Sequence, residues 1–435
     1  MANQFKTSRK TELVALRVAE AASYLTVGSR KYFKDQLKHK RNGTTFDFVI
    51  RDAGLYERGI DISGTSPAGL VEKKVSKSLN VGNVKVATNL LEPITDADWD
   101  TEVAKMQGPK LTRGLVQDAL NGTVGKTIDG VTVTDYAGDW GNTNTCFVGV
   151  GFAPLQAAQD FLLSVSDERS YGFINPQINT KLKLIGQGFE PTQAEPMFSK
   201  GLKGQLGDTQ YRTVQFMPLL NVSAALVSAM GDCSGFTYVD NDNGTATITL
   251  AGVGAKIPRG YTIWVDGVYA CDLVGDRTSE LKAFVAIEDG ANNGEMKVVA
   301  LSADDFCGNG TKLLCAADGS ALGANKAAAI SALNTAGSVA GAVHGMEAGK
   351  YFAGQVRIDG AYEFETLDEI DASNADTERA DNEGIVIFQN RAIDVLKGSN
   401  TTRWTSTVMA GIVEPRCVAT VWVKDADANR VVVVQ

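Results

Sequence analysis

The sequence predicts an α+β fold into which an antiparallel β-barrel is inserted. Three observations predict it. A long amphipathic helical pattern covers Thr95–Asn121. Six short strand patterns joined by turn dipeptides crowd into Phe236–Leu301. Apolar extended segments lie on both sides of that cluster, from Cys146–Val150 to Val418–Lys424, as the body of the chain requires.

Taken in order, residues 1–45 hold ten Lys/Arg against three Asp/Glu, a balance of +7. The whole chain carries −9, which leaves −16 for the remainder, the difference between the two. A basic arm on an acidic body suggests electrostatic docking, against the plainer reading of a solvated helix and a charged linker. Thr7–Val27 has helical spacing, with Leu13, Leu16, Ala21, Tyr24 and Leu25 as its apolar positions and Gly28 as its stop. Lys31–Arg41 is a basic connector. Phe46–Ile50 and Lys85–Leu91 read as two extended arms. The stretch between them is rich in Gly, Ser, Lys and Asp, which is unusual for a loop inside a compact domain. A two-stranded excursion is only marginally stable alone, so it is either disordered or ordered by another subunit.

In Thr95–Asn121, Thr95 is a good N-cap, and Asp96, Asp98 and Asp100 suit the positive end of the helix dipole. Val103, Met106, Leu111, Leu115, Val116, Ala119 and Leu120 recur at helical spacing, and Asn121-Gly122 ends the run. Proline at 109 removes a ladder bond, which predicts a kink or two abutting helices at Gly108-Pro109. Pro154–Val165 is a helix with proline in its first turn. Tyr171–Ile174, Lys181–Ile185 and Tyr211–Leu220 are extended or apolar.

From about Asn221 the pattern changes. Phe236–Asp240, Thr245–Ala251, Tyr261–Val265, Val268–Cys271, Leu281–Ile287 and Met296–Leu301 are short strands. Asn243-Gly244, Asp266-Gly267 and Asp289-Gly290 between them are hairpin dipeptides, because glycine accepts positive φ. This spacing argues for a small antiparallel barrel. Ala316–Gly345 suggests a weak helix and linker, and Glu363–Glu383 an acidic solvated loop. Gly384–Phe388, Ala392–Val395, Ser406–Val413, Val418–Lys424 and Val431–Val434 complete the strands.

Composition agrees with a β-rich globular chain of several domains. The 435 residues are 44% hydrophobic and 21% charged. The 45 glycines, about one residue in ten, exceed the usual share of about 7% and imply many turns. The start of the chain lacks a signal-peptide pattern, and no run of about 18 apolar residues is found. Six scattered cysteines without a C-x-x-C pair read as free thiols in a reducing cytoplasm.

The sequence is poor in chemistry. His39 and His344 each lack a nearby Cys or His, so neither a zinc site nor a Ser-His-Asp triad is signalled. Gly125-Lys126-Thr127 imitates the end of a phosphate-binding loop, but Leu120 stands where its first glycine belongs. Gly149-Val150-Gly151 lies between a strand and a helix as a dinucleotide loop would, but its third glycine position is Pro154. Tight strand–helix packing explains those glycines more simply. Glu363–Glu383 lacks the register of a calcium loop. No catalytic, cofactor-binding or metal-binding residue is expected, and the chain is read as a non-enzyme.

The order of elements is itself a signal: basic arm, long hairpin, long helix, mixed body, inserted β-module, return to the body. It resembles the major capsid (coat) protein of tailed double-stranded DNA phages, in the short-tailed-phage branch whose coat proteins carry an inserted β-barrel. Phe173-Ile-Asn-Pro-Gln177 resembles that family's F-N-P-Q segment, and Phe216-Met217-Pro218 its K-L-P-type strand. Lys256–Val268 resembles a K-R-G-D hairpin of the insertion. Phe388–Val395 and Val418–Val423 resemble the returning body strands. Phe306–Asp381 departs from the pattern and leaves the end of the insertion open.

The resemblance implies an N-terminal arm at 1–45, an extended-loop hairpin at 46–91, and a peripheral domain with the long helix at 92–130. It further implies an axial domain with a return strand at 131–220, the inserted barrel at 221–305, and completion of the body at 306–435. It implies self-assembly into hexamers and pentamers of an icosahedral shell around DNA. The partners implied are other copies of the chain, a scaffolding protein, a portal and non-specifically contacted DNA, with no membrane. The place implied is the virion capsid, assembled in the host cytoplasm. Two rivals remain at this stage: a cytoplasmic phosphate- or nucleotide-binding enzyme using Gly149–Pro154, and a β-rich binding or fibre protein.

Overall fold

The computed structural model describes residues 45–52, 71–78, 80–89, 106–115, 127–128, 131–132, 141–178, 205–206, 209–214, 217–307, 312–366, 377–382, 385–394 and 399–425. The expected N-terminal helix, the basic connector, Lys181–Ile185 and Val431–Val434 lie outside them. The described part is strand-rich α+β.

In chain order the strands are β1 (Thr45–Asp52), β2 (Val71–Ser78), β3 (Asn80–Asn89), β4 (Thr127–Ile128), β5 (Val131–Thr132), β6 (Thr145–Val150), β7 (Ser170–Ile174), β8 (Gln205–Leu206), β9 (Thr209–Thr213) and β10 (Leu219–Val222). They continue with β11 (Gly235–Asp240), β12 (Thr245–Ala251), β13 (Thr262–Cys271), β14 (Arg277–Val285), β15 (Glu295–Val299), β16 (Leu314–Cys315) and β17 (Val343–Gly345). The last are β18 (Gly349–Ile358), β19 (Tyr362–Thr366), β20 (Thr377–Asn382), β21 (Ile385–Asp394), β22 (Ser399–Ile412) and β23 (Val418–Lys424). The helices are α1 (106–115), α2 (Ala153–Val165), α3 (Ala224–Gly231), α4 (Ala303–Cys307) and α5 (Lys326–Gly337).

The chain divides into two compact units. The first holds β3, α1 and most of 362–411. Its sheet runs β19-β22-β21-β20, and β3 pairs along β22 from Asn80↔Val408 to Asn89↔Ser399. The central strand β22 buries Trp404, and β21 buries the run Ile385–Phe388. Thr366 and Ser406 hydrogen-bond the Val386 backbone from either side, at 2.9 Å each. Residues 106–115, Gly108 and Pro109 included, form one helical run, so two separate helices abutting at that pair are not seen within 106–115. The flanking parts of Thr95–Asn121 lie outside the described residues.

Two expectations about this region are corrected. The second arm of the hairpin is β2, which shares a two-stranded sheet with β1; Lys85–Asn89 belongs instead to β3, whose partner is more than three hundred residues away. Val71–Ser78 (VEKKVSKS) is too charged to announce a strand, whereas the apolar segment beyond it announces one plainly. The acidic stretch is not one solvated loop. Tyr362–Thr366 is a strand with Tyr362, Glu363, Phe364 and Thr366 all buried, so even an acid of this stretch lies inside the fold.

The second unit holds a seven-stranded sheet in the order β6-β23-β18-β7-β9-β8, with β10 also on β18. Strand β18 is its axis. One edge pairs β23 along its length, and the other takes β10 (Leu219↔Phe352) and then β7 (Gly354↔Ile174) end to end. Its run Tyr351–Ile358 is buried throughout, so it reads as continuous rather than alternating. Helix α2 covers this sheet with Leu155, Ala158, Phe161, Leu162 and Val165, spaced for one helical face, and Phe161 lies against Phe147 at 5.8 Å between ring centres. The expected single strand Tyr211–Leu220 is divided into β9 and β10, since Pro218 cannot donate to a ladder.

Between β10 and β18 the chain leaves the sheet and returns beside itself, with Val222 opposite Gly349. Everything from Ser223 to Ala348 is therefore an insertion at one point of the body sheet. It contains a three-stranded sheet β11-β12-β15 and a four-stranded sheet with β13 paired to β14, β16 and β17. The Ile287 amide bonds the Lys297 carbonyl at 2.8 Å where the two sheets approach. A closed ring of pairings is not present among the described residues. The module also runs past the expected end at 305: β16 and β17 pair with β13, and α5 packs on β11, where Gly337 touches the Phe236 ring. Asn325 caps α5 by accepting from the Ala328 amide at 2.9 Å. Asn334 of α5 accepts from the Tyr238 amide at 2.7 Å, so the helix covers the edge of β11.

Two turns differ from expectation in an informative way. Asp266-Gly267 does not join two strands; it is an irregularity within the continuous β13, where the register with β14 shifts between Trp264 and Tyr269 and Gly267 has φ 79°. At the β11–β12 hairpin the positive φ values fall on Asp242 (55°) and Gly244 (77°), while the Asn243 side chain accepts from the Thr245 amide at 3.1 Å.

These contacts make a sharp expectation about autonomy. A fragment of residues 221–303 lacks β16, β17 and α5 and strips the cover from Phe236 and Tyr238. It is expected to give a collapsed, poorly dispersed amide spectrum, while 223–348 gives a dispersed β-type one. Equal spectra for the two fragments would remove α5 and β16–β17 from the folding unit.

Candidate functional site

Among the described residues, no group of three or more His, Cys, Asp or Glu is placed to hold a metal ion. No helix among them is long and apolar enough to cross a membrane. The two nucleotide-like glycine motifs resolve differently. Gly125 and Lys126 lie outside the described residues, and Thr127 opens the short β4, paired to β5, rather than a helix. Gly149 lies against the ring of Pro154: a side chain added there would meet Pro154 Cδ at 3.2 Å. Helix α2 has no side-chain cap at its start. The glycine thus serves the close strand-to-helix approach. His344, at β17, contacts Asp266 at 2.9 Å, with both side chains exposed, and His39 lies outside the described residues. An open groove of about 600 Å³ between β11 and α5 is lined only by uncharged residues, including Phe236, Thr237, Ile330, Asn334 and Val339.

Among the described residues, a dense set of buried polar contacts forms the seam that joins the insertion to the body sheet. Its centre is the short turn before β23. Glu414 and Arg416 form a forked pair, Nε to Oε1 and Nη2 to Oε2, both at 2.8 Å. Arg416 is 2% exposed and Glu414 5%, so the pair is held away from water. Arg416 also donates to the Leu273 carbonyl of the module at 2.8 Å. Beside it, Asn144 donates to the carbonyls of Cys271 at 2.7 Å and Arg416 at 3.1 Å. Thr145 donates to Leu281 at 2.8 Å, and the buried Lys282 ammonium reaches the Thr143 carbonyl. Thr143 in turn bonds the Val418 carbonyl at 2.9 Å and receives the Thr420 amide at 3.0 Å. Body strands β6 and β23 and module strands β13 and β14 are thereby stitched by charge-assisted bonds. The arrangement ties the module to the sheet at one place.

A second seam links two segments singled out in the sequence. Asn175, in Phe173–Gln177, donates from Nδ2 to the Met217 carbonyl at 3.1 Å, and its own amide bonds the Ala353 carbonyl at 3.1 Å. Its Oδ1 accepts the Gln177 amide at 2.9 Å. One asparagine thus ends β7 and ties it to Met217-Pro218. The residues of the first seam were not found from sequence, since Glu414-Pro-Arg416 looks like an ordinary turn.

Burial also shapes the titration of this unit. It pushes the Cys146 thiol from 9.0 up to about 12 and the Tyr261 hydroxyl from 10.0 up to about 12; Tyr211 and Tyr238 are raised further. These groups stay neutral in the folded chain where the unfolded chain ionises them. Their contribution is complete below about pH 9 and is lost as pH rises above it, because the unfolded state then releases more protons. Urea midpoints are expected to fall steadily from pH 9 to 11; a flat profile would contradict the burial of these groups.

No protein-family model matches the chain, and no curated protein matches it. Solved structures do. It is similar to a chain of Mycobacterium phage Che8, at 8% identity over 91% of this chain and 90% of that one, with a TM-score of 0.41. It is similar to the capsid of Ralstonia phage GP4, at 9% identity over 90% and 86%, with a TM-score of 0.41. It is similar to the capsid of cyanophage Pam1, at 9% identity over 88% and 86%, with a TM-score of 0.39.

Proposed function

We propose that this chain is the major capsid protein of a tailed double-stranded DNA phage, a structural subunit that builds an icosahedral shell from hexamers and pentamers. The observation that carries the reading is the ribbon β1–β2. Its strands, Thr45–Asp52 and Val71–Ser78, pair with each other in a two-stranded sheet. Ordering such a ribbon costs roughly 1–2 kcal/mol per residue, and two strands alone bury too little to offset that. Contact with a neighbouring subunit supplies the missing burial, since obligate lattice interfaces run to roughly 2,000–5,000 Å².

The order of elements supports the same reading: a basic arm, a ribbon, a helix, a mixed body and a module inserted at one point. On this proposal the module stands on the body as a rigid appendage, because the Arg416–Glu414 seam holds it. Scaffolding protein, portal and packaged DNA are the proposed partners, the host cytoplasm is the place of assembly, and the chain performs no catalysis. The rival enzyme reading loses its motif, since Pro154 fills the space beside Gly149. The test is electron microscopy of the purified protein, alone and with a co-expressed scaffold. Closed shells or ring-shaped capsomers of five or six copies are expected. A small soluble oligomer in both preparations would overturn the proposal.

A further inference from the structure

We infer that Asn243 is a self-modifying site, whose side-chain amide is lost through attack by the Gly244 backbone nitrogen. Asn-Gly pairs occur in the sequence at Asn42, Asn121, Asn243, Asn293 and Asn309. Those at 243 and 293 lie among the described residues. Both offer the same reacting atoms, and glycine shields neither nitrogen with a side chain. The fold is what separates them.

The nucleophile is the first difference. The Gly294 amide donates to the Ala255 carbonyl at 2.9 Å, and the Gly294 carbonyl accepts the Leu250 amide at 2.7 Å. Asn293 is exposed, but the nitrogen beside it is committed and its glycine is buried. The Gly244 amide meets no acceptor among the described residues, and Gly244 is only half-buried in the β11–β12 turn. The electrophile is the second difference. Asn243 Oδ1 accepts from the Thr245 amide at 3.1 Å and from Thr245 Oγ1 at 2.6 Å. Asn241 Nδ2 donates to Thr245 Oγ1 at 3.2 Å, which leaves that hydroxyl's own proton for Asn243. Two donors on one carbonyl oxygen polarise it and stabilise the oxyanion that forms when its carbon is attacked. No donor faces the Asn293 side chain among the described residues.

Chain connectivity keeps the two reacting atoms near each other, since their bond closes a five-membered ring. The Gly244 nitrogen attacks Asn243 Cγ. The N–Cγ bond forms, the Cγ–Nδ2 bond breaks, and the Gly244 proton leaves with the amine as ammonia. Water then opens the ring. Cleavage at Cγ gives aspartate, and cleavage at the main-chain carbonyl gives isoaspartate. Nothing is oxidised or reduced, and water is the co-reactant. Either product sets a new carboxylate beside Asp240 and Asp242. Asp240 already accepts the Asp242 amide at 2.9 Å and the Lys326 ammonium of α5. Isoaspartate also adds a backbone atom to the turn, whose ends are joined by the Asn241 amide and the Thr245 carbonyl at 3.0 Å. The hairpin turn thus gains negative charge with age. This chemistry goes beyond the capsid reading and does not depend on it.

The test uses the full-length chain, incubated in warm, mildly alkaline buffer, sampled over time and digested for mass spectrometry. Loss of the amide is expected roughly tenfold faster at Asn243 than at Asn293, since one site has donors on its oxyanion and the other must first break its nucleophile's hydrogen bond. Exposure alone would give the opposite order. Electron-transfer fragmentation should find both aspartate and isoaspartate at 243. In denaturant the two rates should converge, because the contacts that separate them are gone. Thr245→Val removes the hydroxyl donor and is expected to slow Asn243 several-fold while leaving Asn293 unchanged. If that variant fails to fold, the native and denatured rates of the unaltered chain still decide. Equal native rates, or faster loss at Asn293, would overturn the inference, as would a tenfold difference that persists in denaturant.

Discussion

Arg416→Met is expected to lower the stability of the unit containing the body sheet by about 3–5 kcal/mol, because it leaves the Glu414 carboxylate buried without its counter-charge. The fork at 2.8 Å and the near-zero exposure of both partners make this pair expensive to break from one side. The Leu273 carbonyl of the module loses its donor in the same step. Replacing both partners, as in Glu414→Leu with Arg416→Met, removes both charges together and should restore most of the loss. Urea unfolding of the three variants measures this. A loss under about 1 kcal/mol in Arg416→Met would show that the pair is solvated and that the seam does not hold the module.

The second large effect concerns the ribbon. Replacing residues 47–76 with a short glycine-containing turn should leave both units folded, because the described sheets of the body pair without it. On the capsid proposal assembly should then fail, since the burial proposed for each ribbon on a neighbour would be lost at every copy of the contact. Far-ultraviolet circular dichroism and sedimentation read the two outcomes separately. Native-like secondary structure with only monomers or single capsomers is expected. Closed shells at normal yield from the shortened chain would remove the intersubunit role of the ribbon and the main physical support for the capsid reading.

What the sequence determined by itself is local. Thr245–Ala251 alternates polar and apolar residues and is a strand; Ala153–Val165 carries proline in its first turn and one apolar face, and is a helix lying on the sheet. Gly149 before Pro154 was legible as packing, and the change of character near Asn221 marked where the insertion begins. In each case the deciding forces act within a few residues, through side-chain periodicity and the φ that proline and glycine allow.

Tertiary structure decided what depends on distant partners. Strand β3 looks like the natural mate of β1, yet it pairs with β22, because a strand's pattern states which face is buried and not which edge will accept it. The module's end could not be placed from sequence: residues 312–345 are short strands and a small-residue helix whose only strong preference is the cover they give β11 and β13. The Arg416–Glu414 pair and the buried Lys282 were hidden for a related reason. A charged residue signals solvent until the fold brings it a carboxylate or a carbonyl, and only the meeting of β6, β13, β14 and β23 does that.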